Sequence, residues 1–345
     1  MRRFDAEKLR ATMTRVLGAR GVAPEAVAHV VASVIQTSLR GVDSHGIQLF
    51  PHYARVAETG RINLAPKLAF EQTAPGTAIL DADHAYGHHA GAVAMDHAIQ
   101  CAKQVGIAVV AVRNSSHFGA AAYFALRAPA AGCIGLAFTN ADALVKATGA
   151  KHSFTGTNPI CFTAPIEGEQ PFCFDAATSL VSWNKVVNAR RTGGSLGEDW
   201  ACDENGLPVT DANAARSLQP AGLYKGYGLS IVVDILCALL AGGGISKDLL
   251  PMYKHVEVRR AISHCFMAID VARFAALGDF AHRMKDMVER ARGLEPLDPA
   301  APVMVPGDPE KRAFAERTAR GIPIDDAKLA EFIATSADFE SALLP

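Results

Sequence analysis

The sequence predicts an α+β protein whose helical ends enclose a strand-rich middle. Two observations carry this. Apolar residues recur at helical spacing from Leu9 to Leu39 and again from residue 278 to 336. Between them lie short β-branched runs, bounded by clusters of Gly, Asn, Asp and Ser. There is no internal repeat and no low-complexity linker, so the two ends are expected to pack together around the middle. A length of 345 residues, half of them hydrophobic, allows two domains or one elaborate one.

The elements follow in order. Asp5 can cap a first helix with Leu9, Met13, Val16 and Leu17 on one face, and Gly18 or Gly21 ends it. Pro24 suits the first turn of a second helix with a Val/Ile/Leu stripe, closed by Gly41. Pro51 starts a short helix that ends near Gly60. Residues 67–72 and 77–82 read as strands. Gly87-His88-His89-Ala90-Gly91 leads into a helix reaching Lys103, which precedes a buried strand at 107–112 and a polar loop from Arg113 to Gly119. A helix at 120–127 and a strand at 134–139 follow. Gly156-Thr157-Asn158-Pro159 is a turn by composition. Strands at 160–164 and 171–175 flank the hairpin-like Glu167-Gly168-Glu169. A helix is expected to start at Ala176 and carry Trp183 and Lys185. Asp203-Glu204-Asn205-Gly206 is a turn. Lys225-Gly226-Tyr227-Gly228 opens the most apolar helix, 229–241. Then come a strand at 266–270 and helices at 278–292, 310–320 and 325–336.

Composition narrows the partners. Thirty-four basic residues against thirty-five acidic ones, with no extended Lys/Arg run, argue against nucleic acid. The most apolar run is broken by Asp234 and is short for a bilayer, and the polar start carries no signal core, so a cytoplasmic protein without a membrane partner is expected. Seven scattered cysteines with no C-x-x-C fit buried reduced thiols. His88 and His89 point about 100° apart on a helix, and no H-x-x-x-H or H-E-x-x-H occurs, so no metal is expected.

His45 and His117 are the leading acid–base candidates. Each lies in a loop of small residues after a regular element, and histidine titrates near neutral pH. Ser44 can orient the imidazole or a reacting oxygen. A surface or capping role is the plain alternative for either ring. A standard nucleotide site is disfavoured: G-x-G-x-x-G is missing from any strand-to-helix junction, and so is a P-loop. Lys225 beside two glycines at a helix start still offers a cation and free N–H groups to a phosphate, or is a solvated lysine at a glycine turn. Asp175 at a strand end can accept ribose hydroxyls or cap a helix. Thr157 and Asn158 are turn residues or substrate contacts. Trp183 is pocket wall or core, and Lys185 faces a carboxylate or solvent.

Six motifs fall in one order: Asp43-Ser44-His45-Gly46, Asn114-Ser115-Ser116-His117-Phe118-Gly119, Gly156-Thr157-Asn158-Pro159-Ile160, Phe174-Asp175-Ala176-Ala177-Thr178-Ser179, Lys225-Gly226-Tyr227-Gly228-Leu229 and Pro306-Gly307-Asp308. Together they resemble the malate/L-lactate dehydrogenase family of the second type. That family also holds ureidoglycolate, sulfolactate and 2,3-diketogulonate oxidoreductases and cyclic-imine carboxylate reductases. The resemblance spans nearly the whole chain. It implies an NAD- or NADP-binding fold that is not a Rossmann domain, with a largely antiparallel sheet and a helical part built from both termini. It implies a substrate-side part at 1–115, a cofactor domain at 116–295, a segment at 296–345 packing back on the N-terminal part, and a homodimer. His117, His45 and Ser44 match the family's catalytic positions. Phe118, Gly119, Asn140, Asp175, Ala176, Ala177, Lys225, Gly307 and Asp308 match cofactor-contacting ones, and Thr157 matches a substrate-side one.

One departure bears on the substrate. Many members carry Arg four residues after the motif histidine, where a bidentate guanidinium can clamp a carboxylate. This chain has Leu49. His52, Lys146 or Lys185 is then the expected cation, or the substrate differs. Lys185 stands where imine reductases can carry an acid, which leans towards an alcohol/ketone pair. The expectation is hydride transfer between a nicotinamide and a small 2-hydroxy or 2-oxo acid. A cyclic-imine carboxylate reductase and a catalytically silent metabolite-binding member are the rivals.

Overall fold

A computed structural model describes residues 2–336. The chain opens with β1 (Arg2–Phe4), α1 (Ala6–Ala19), α2 (Pro24–Leu39) and α3 (Phe50–Glu58). The hairpin β2 (Ala69–Ala74) and β3 (Thr77–Asp81) precedes α4 (Gly87–Val105) and β4 (Ile107–Ser115). Two helical turns, α5 (Ala122–Ala125) and α6 (Arg127–Ala130), lead to β5 (Cys133–Thr139). Next come β6 (Val145–Lys146), β7 (Ser153–Thr155), β8 (Ile160–Ala164) and β9 (Phe172–Ala176). These are followed by α7 (Trp183–Thr192), β10 (Ala201–Cys202), β11 (Pro208–Val209) and β12 (Ser217–Leu218). Helix α8 (Tyr224–Asp234) runs on into a π-helical turn at Ile235–Leu239. The chain continues through β13 (Ile262–Asp270), α9 (Leu277–Arg292), α10 (Asp308–Arg320), β14 (Ile322–Ile324) and α11 (Asp326–Thr335).

Local chemistry explains the ends of these elements. Asp5 Oδ1 accepts the N–H groups of Glu7 and Lys8 at 2.9 Å, which starts α1. Pro24 takes the first turn of α2. Asp203 Oδ1 accepts from Asn205 and Leu207 and folds the turn between β10 and β11.

The main sheet has the order β2-β3-β4-β13-β5-β8-β9. Only β3 and β4 run parallel in it; the other neighbours pair antiparallel. Its core is formed by small residues of α4, such as Ala94 and Ala98, against Val110, Val112, Phe124 and Phe266. A second cluster joins Leu9, Val30, Ile35, Phe50 and Tyr53 of the first three helices to Ile322, Ile324, Leu329 and Phe332 of the last elements. β1 pairs antiparallel with β14, adding main-chain bonds to that junction. A five-stranded sheet of short strands, β11-β10-β12-β6-β7, packs with α7 over a third cluster that includes Val145, Val186 and Leu218.

The structure corrects several expectations. No helix starts at Ala176: Thr178 N–H donates to Thr157 O and Leu180 N–H to Gln219 O, both at 2.9 Å, so this stretch is held extended and α7 begins only at Trp183. The single helix expected at 120–127 is two short turns. Residues 113–115 are not loop but the end of β4, because β13 begins at Ile262 and pairs Ile262 with Ser115. The polar Ser263-His264 pair masked that longer strand; His264 is fully buried between Thr139 Oγ1 (2.7 Å) and Ser115 Oγ (2.8 Å). The tail expected to pack back at 296–345 is described only as far as residue 336; positions 337–345 lie outside the described residues.

Candidate active site

The Asp43-Ser44-His45 stretch is a single 3-10 turn between α2 and α3. Arg317 of α10 fixes it, with Nη1 donating to Asp43 Oδ1 at 2.5 Å and Nη2 to Oδ2 at 3.0 Å. Gly46 follows because nothing larger fits: a Cβ there would come within 2.3 Å of Ser38 Oγ. That hydroxyl donates to Val34 O and accepts from Ile47 N–H, both at 2.8 Å. So held, Ser44 Oγ lies 2.9 Å from His45 Nδ1.

The second histidine sits on the turn after β4. Ser116 Oγ donates to Ala85 O and accepts from Gly87 N–H, each at 3.0 Å. Asn114 reaches Asp81 at 2.9 Å and adopts φ +53°. This turn brings His117 parallel to His45, with ring centroids 5.8 Å apart and planes 17° apart. His117 Nδ1 lies 3.0 Å from the Tyr53 hydroxyl and 3.3 Å from Gly119 N–H, so Nδ1 is engaged and the ring is left to meet a ligand through Nε2. Both rings are partly open to solvent and closely surrounded by protein. Desolvation pulls the pKa of His45 down to about 4. The same desolvation, with His45 and His88 nearby, holds His117 well below its ordinary value. Both are neutral at pH 7.

A small cavity on the Tyr53 side of His117 is lined by His52, Tyr53, Arg61, Tyr86 and Arg260. Arg260 donates from Nε to Leu250 O at 2.8 Å and pairs through Nη2 with Asp142. His52 is driven to a pKa of about 3 by burial and by Arg61, Arg260 and Arg55. With these neighbours His52 is neutral at pH 7. Leu49 is 7% exposed and belongs to the apolar cluster of the terminal helices. Lys185 lies apart from this lining and stacks its ammonium 5.0 Å from the Trp200 ring centre. Lys146 donates to Gly206 O at 2.7 Å.

A second group of sequence-predicted residues meets next to the first. Thr157 O accepts from both the main chain and the hydroxyl of Thr178, at 2.9 and 3.0 Å. Gly226, in the first turn of α8, packs on the same place: a Cβ there would lie 2.6 Å from Thr178 O. The turn at Thr157, the end of β9 with Asp175, Ala176 and Ala177, and Lys225 thus converge. Asp175 Oδ2 accepts from Ala122 N–H at 2.8 Å. Its carboxyl is open to solvent but crowded by protein, which pushes its pKa up to about 6 against the pull of Ala122 N–H and Arg40. Lys225 is exposed. The stretch from Asn140 to Asp142 bridges the two groups, since Ala141 N–H donates to Asn158 Oδ1 at 3.0 Å while Asp142 holds Arg260. Asn184 of α7 adds a further tie, donating to Ser44 O at 3.2 Å.

Other predicted contacts are engaged internally. Phe118 is 1% exposed and stacks on Phe124 and His264. Asn140 donates to Gly244 O and accepts from Ser263 N–H. Gly119, at φ +78°, packs so close to His88 that a Cβ would lie 2.9 Å from its Nε2. Gly307 N-caps α10, and the Asp308 carboxylate is committed to Arg292 at 2.5 and 2.9 Å. Sequence reasoning missed Tyr53, Arg61 and Arg260. Nothing marks an arginine before a strand as a pocket residue; only the fold brings Arg260 beside His117.

A family profile described as malate/L-lactate dehydrogenase matches residues 4–332. The chain belongs to that family. A malate dehydrogenase of Pyrococcus abyssi is 36% identical over 93% of this chain and 91% of its own length. The ureidoglycolate dehydrogenase (NAD(+)) of Escherichia coli strain K12 is 32% identical over 94% of this chain and 93% of its own. Among solved structures, the malate dehydrogenase of Entamoeba histolytica superposes with a TM-score of 0.93 at 29% identity, covering 100% of this chain and 99% of that one. The family is one of oxidoreductases, and the mixed α/β architecture is common to it.

Proposed function

We propose that the protein interconverts a small 2-hydroxy acid and its 2-oxo acid by hydride transfer to or from NAD or NADP. One observation carries the reading: two neutral imidazoles stand parallel, and the Arg260 guanidinium shares a small cavity with one of them, His117. His117 Nε2 takes the proton of the alcohol during oxidation and returns it during reduction, which uses the tautomer whose proton sits on Nδ1 and is donated to the Tyr53 hydroxyl in place of the 3.3 Å bond from Gly119 N–H. Tyr53, whose hydroxyl can donate or accept, follows Nδ1 through both charge states. Ser44 and His45 orient the reacting oxygen from the other side. Arg260 holds the acid group in the role that position 49 cannot fill, and His52 adds a neutral donor. Thr157 lines the substrate side of the neighbouring cluster.

The residues present suit a dinucleotide. The exposed Asp175 carboxylate, engaged through Oδ2 by Ala122 N–H, has Oδ1 to offer to ribose hydroxyls, with Ala176 and Ala177 beside it. Lys225 offers a free cation at the start of α8 for a phosphate. Phe118, Gly119 and Asn140 contribute main chain, and so does Gly307, since Asp308 is held by Arg292. Bound there, the nicotinamide would exchange hydride with the substrate carbon. This is a cofactor site on a largely antiparallel sheet, not on a Rossmann domain, which the one parallel pair of the main sheet, β3–β4, and the missing glycine fingerprint support.

Residues 1–115 are assigned as the substrate-side part, 116–295 as the cofactor domain and 296–345 as the returning segment; the apolar cluster shared by both ends supports the return, while β2, β3 and β4 of the first part complete the sheet of the second. The enzyme is a homodimer. Leu229, Val232, Ile235 and Leu239 form one half-exposed apolar stripe along α8 and its π turn, which a second copy of the chain would cover. No described helix is long and apolar enough to cross a membrane. The unpaired cysteines fit the reducing cytoplasm. The test is a panel of malate, lactate, ureidoglycolate and sulfolactate with NAD and NADP, run against a cyclic-imine carboxylate with the reduced cofactors. Turnover of the hydroxy acids alone is expected. Turnover of the imine alone, or cofactor binding without any turnover, would replace this assignment by one of its two rivals.

A further inference from the structure

Residues 250–261 bring Arg260 to the cavity beside His117, and one buried side chain holds the segment in place. Arg61, just beyond α3, is 3% exposed. Every hydrogen bond of its guanidinium goes to a main-chain carbonyl of this segment. Nε donates to Val258 O at 3.1 Å, Nη1 to Met252 O at 2.7 Å, and Nη2 to Lys254 O and His255 O at 2.8 and 2.7 Å. Thr59 adds a fifth tie, Oγ1 to Val256 O at 2.6 Å. The segment turns through His255 and Ala261, both at φ +51°, a conformation that a residue with a Cβ keeps only when its surroundings fix it. Two side chains that touch the cavity or its lining ride on it. Tyr253 lies edge-on to His52 with ring centres 5.3 Å apart, and Arg260 stands beside His117.

A buried guanidinium is destabilising unless its N–H groups are matched. Here the carbonyl dipoles of one segment do the matching, so charge and segment stabilise each other. We propose that Arg61 is a positioning residue, tying residues 252–258 in place so that Tyr253 and Arg260 are set over the acid group of the substrate. The functional half rests on the assignment above, that the acid meets Arg260.

The experiment compares the full-length wild type with Arg61→Leu and Arg61→Gly by amide hydrogen exchange and by oxaloacetate reduction with NADH and NADPH. The expected result is exchange at least tenfold faster in 252–258, with that in α3 unchanged. The KM for oxaloacetate should rise at least tenfold, with kcat within about threefold and the cofactor KM unchanged. Millimolar guanidinium should lower the raised KM of Arg61→Gly. Unchanged exchange in 252–258 would overturn the tie. Equal losses in kcat and cofactor binding, with no guanidinium rescue, would reduce Arg61 to a merely structural residue. If Arg61→Leu does not fold, Thr59→Val replaces it, with a smaller rise in the same exchange rates expected and no rise overturning the tie. If the wild type reduces no 2-oxo acid, the functional half fails together with the assignment it rests on, while the exchange measurement still decides the tie.

Discussion

At the scale of single residues, the chemistry rests on a few contacts that charge and geometry define. His117 is proposed as the acid–base group because desolvation keeps it neutral and its Nδ1 is engaged by Tyr53. His117→Ala should lower kcat by about 10²–10⁴-fold. Cofactor binding, read by fluorescence titration, should hardly change; an equal loss of binding would show the ring to be a cofactor contact instead. Arg260→Lys keeps the charge facing Asp142 but loses the planar fork. We expect kcat/KM for the acid to fall by about 10–100-fold with the cofactor KM unaffected, and steady-state kinetics with both substrates varied checks this. His45, Ser44 and His117 were legible from their loop settings and from the order of motifs. Tyr53 and Arg260 were not, because a tyrosine on an apolar helix and an arginine before a strand look like ordinary core and surface residues until the fold turns them to the same cavity.

At the scale of elements, the turn that carries Ser44 and His45 depends on a close approach. In Gly46→Ala the new Cβ would meet Ser38 Oγ at 2.3 Å. The hydroxyl cannot swing away without leaving Ile47 N–H unpaired. We expect a loss of about 1–3 kcal/mol in stability, measured as a lower denaturation midpoint, with reduced turnover as His45 shifts. A midpoint equal to wild type would mean the turn is free to relax. Helices α1 and α2 were readable because caps and apolar spacing are local properties. The start of α7 was not, because Thr178 and Leu180 find their hydrogen-bond partners at Thr157 and Gln219, which are distant in sequence. Strand β13 was half hidden for the related reason that Ser263 and His264 are polar by composition and become core only through Thr139 and Ser115.

At the scale of the whole molecule, two properties follow. His88 and His264 are fully buried, and burial lowers each to a pKa of about 3. The unfolded chain takes up these protons below its ordinary value near 6.5, whereas the folded chain does not until about pH 3. Stability is therefore lost as pH falls below 6.5, by about 2 kcal/mol per histidine at pH 5. Asp175 works in the opposite sense, since its raised pKa weakens the fold most above pH 6, but its carboxyl is solvent-open and its share small. Urea midpoints should fall from pH 7 to pH 5; constant midpoints would mean that both rings protonate within the fold. The apolar stripe of α8 makes the other prediction. Leu239, 59% exposed, should be buried between two copies, so Leu239→Glu should yield a monomer in analytical ultracentrifugation where the wild type sediments as a dimer. A monomeric wild type would remove the homodimer from the proposal.

What the sequence determined by itself is what local physics and motif order encode. That includes the helical ends, the β8–β9 hairpin, the two histidine turns and membership of a dehydrogenase family. What only the tertiary structure decided is which charges act. His52 looked like a replacement cation for position 49, yet burial, with Arg61, Arg260 and Arg55 around it, lowers its pKa to about 3, and Arg260 itself lies beside His117. A pKa and a cavity are sums over neighbours from many parts of the chain, and those neighbours exist only once the chain has folded.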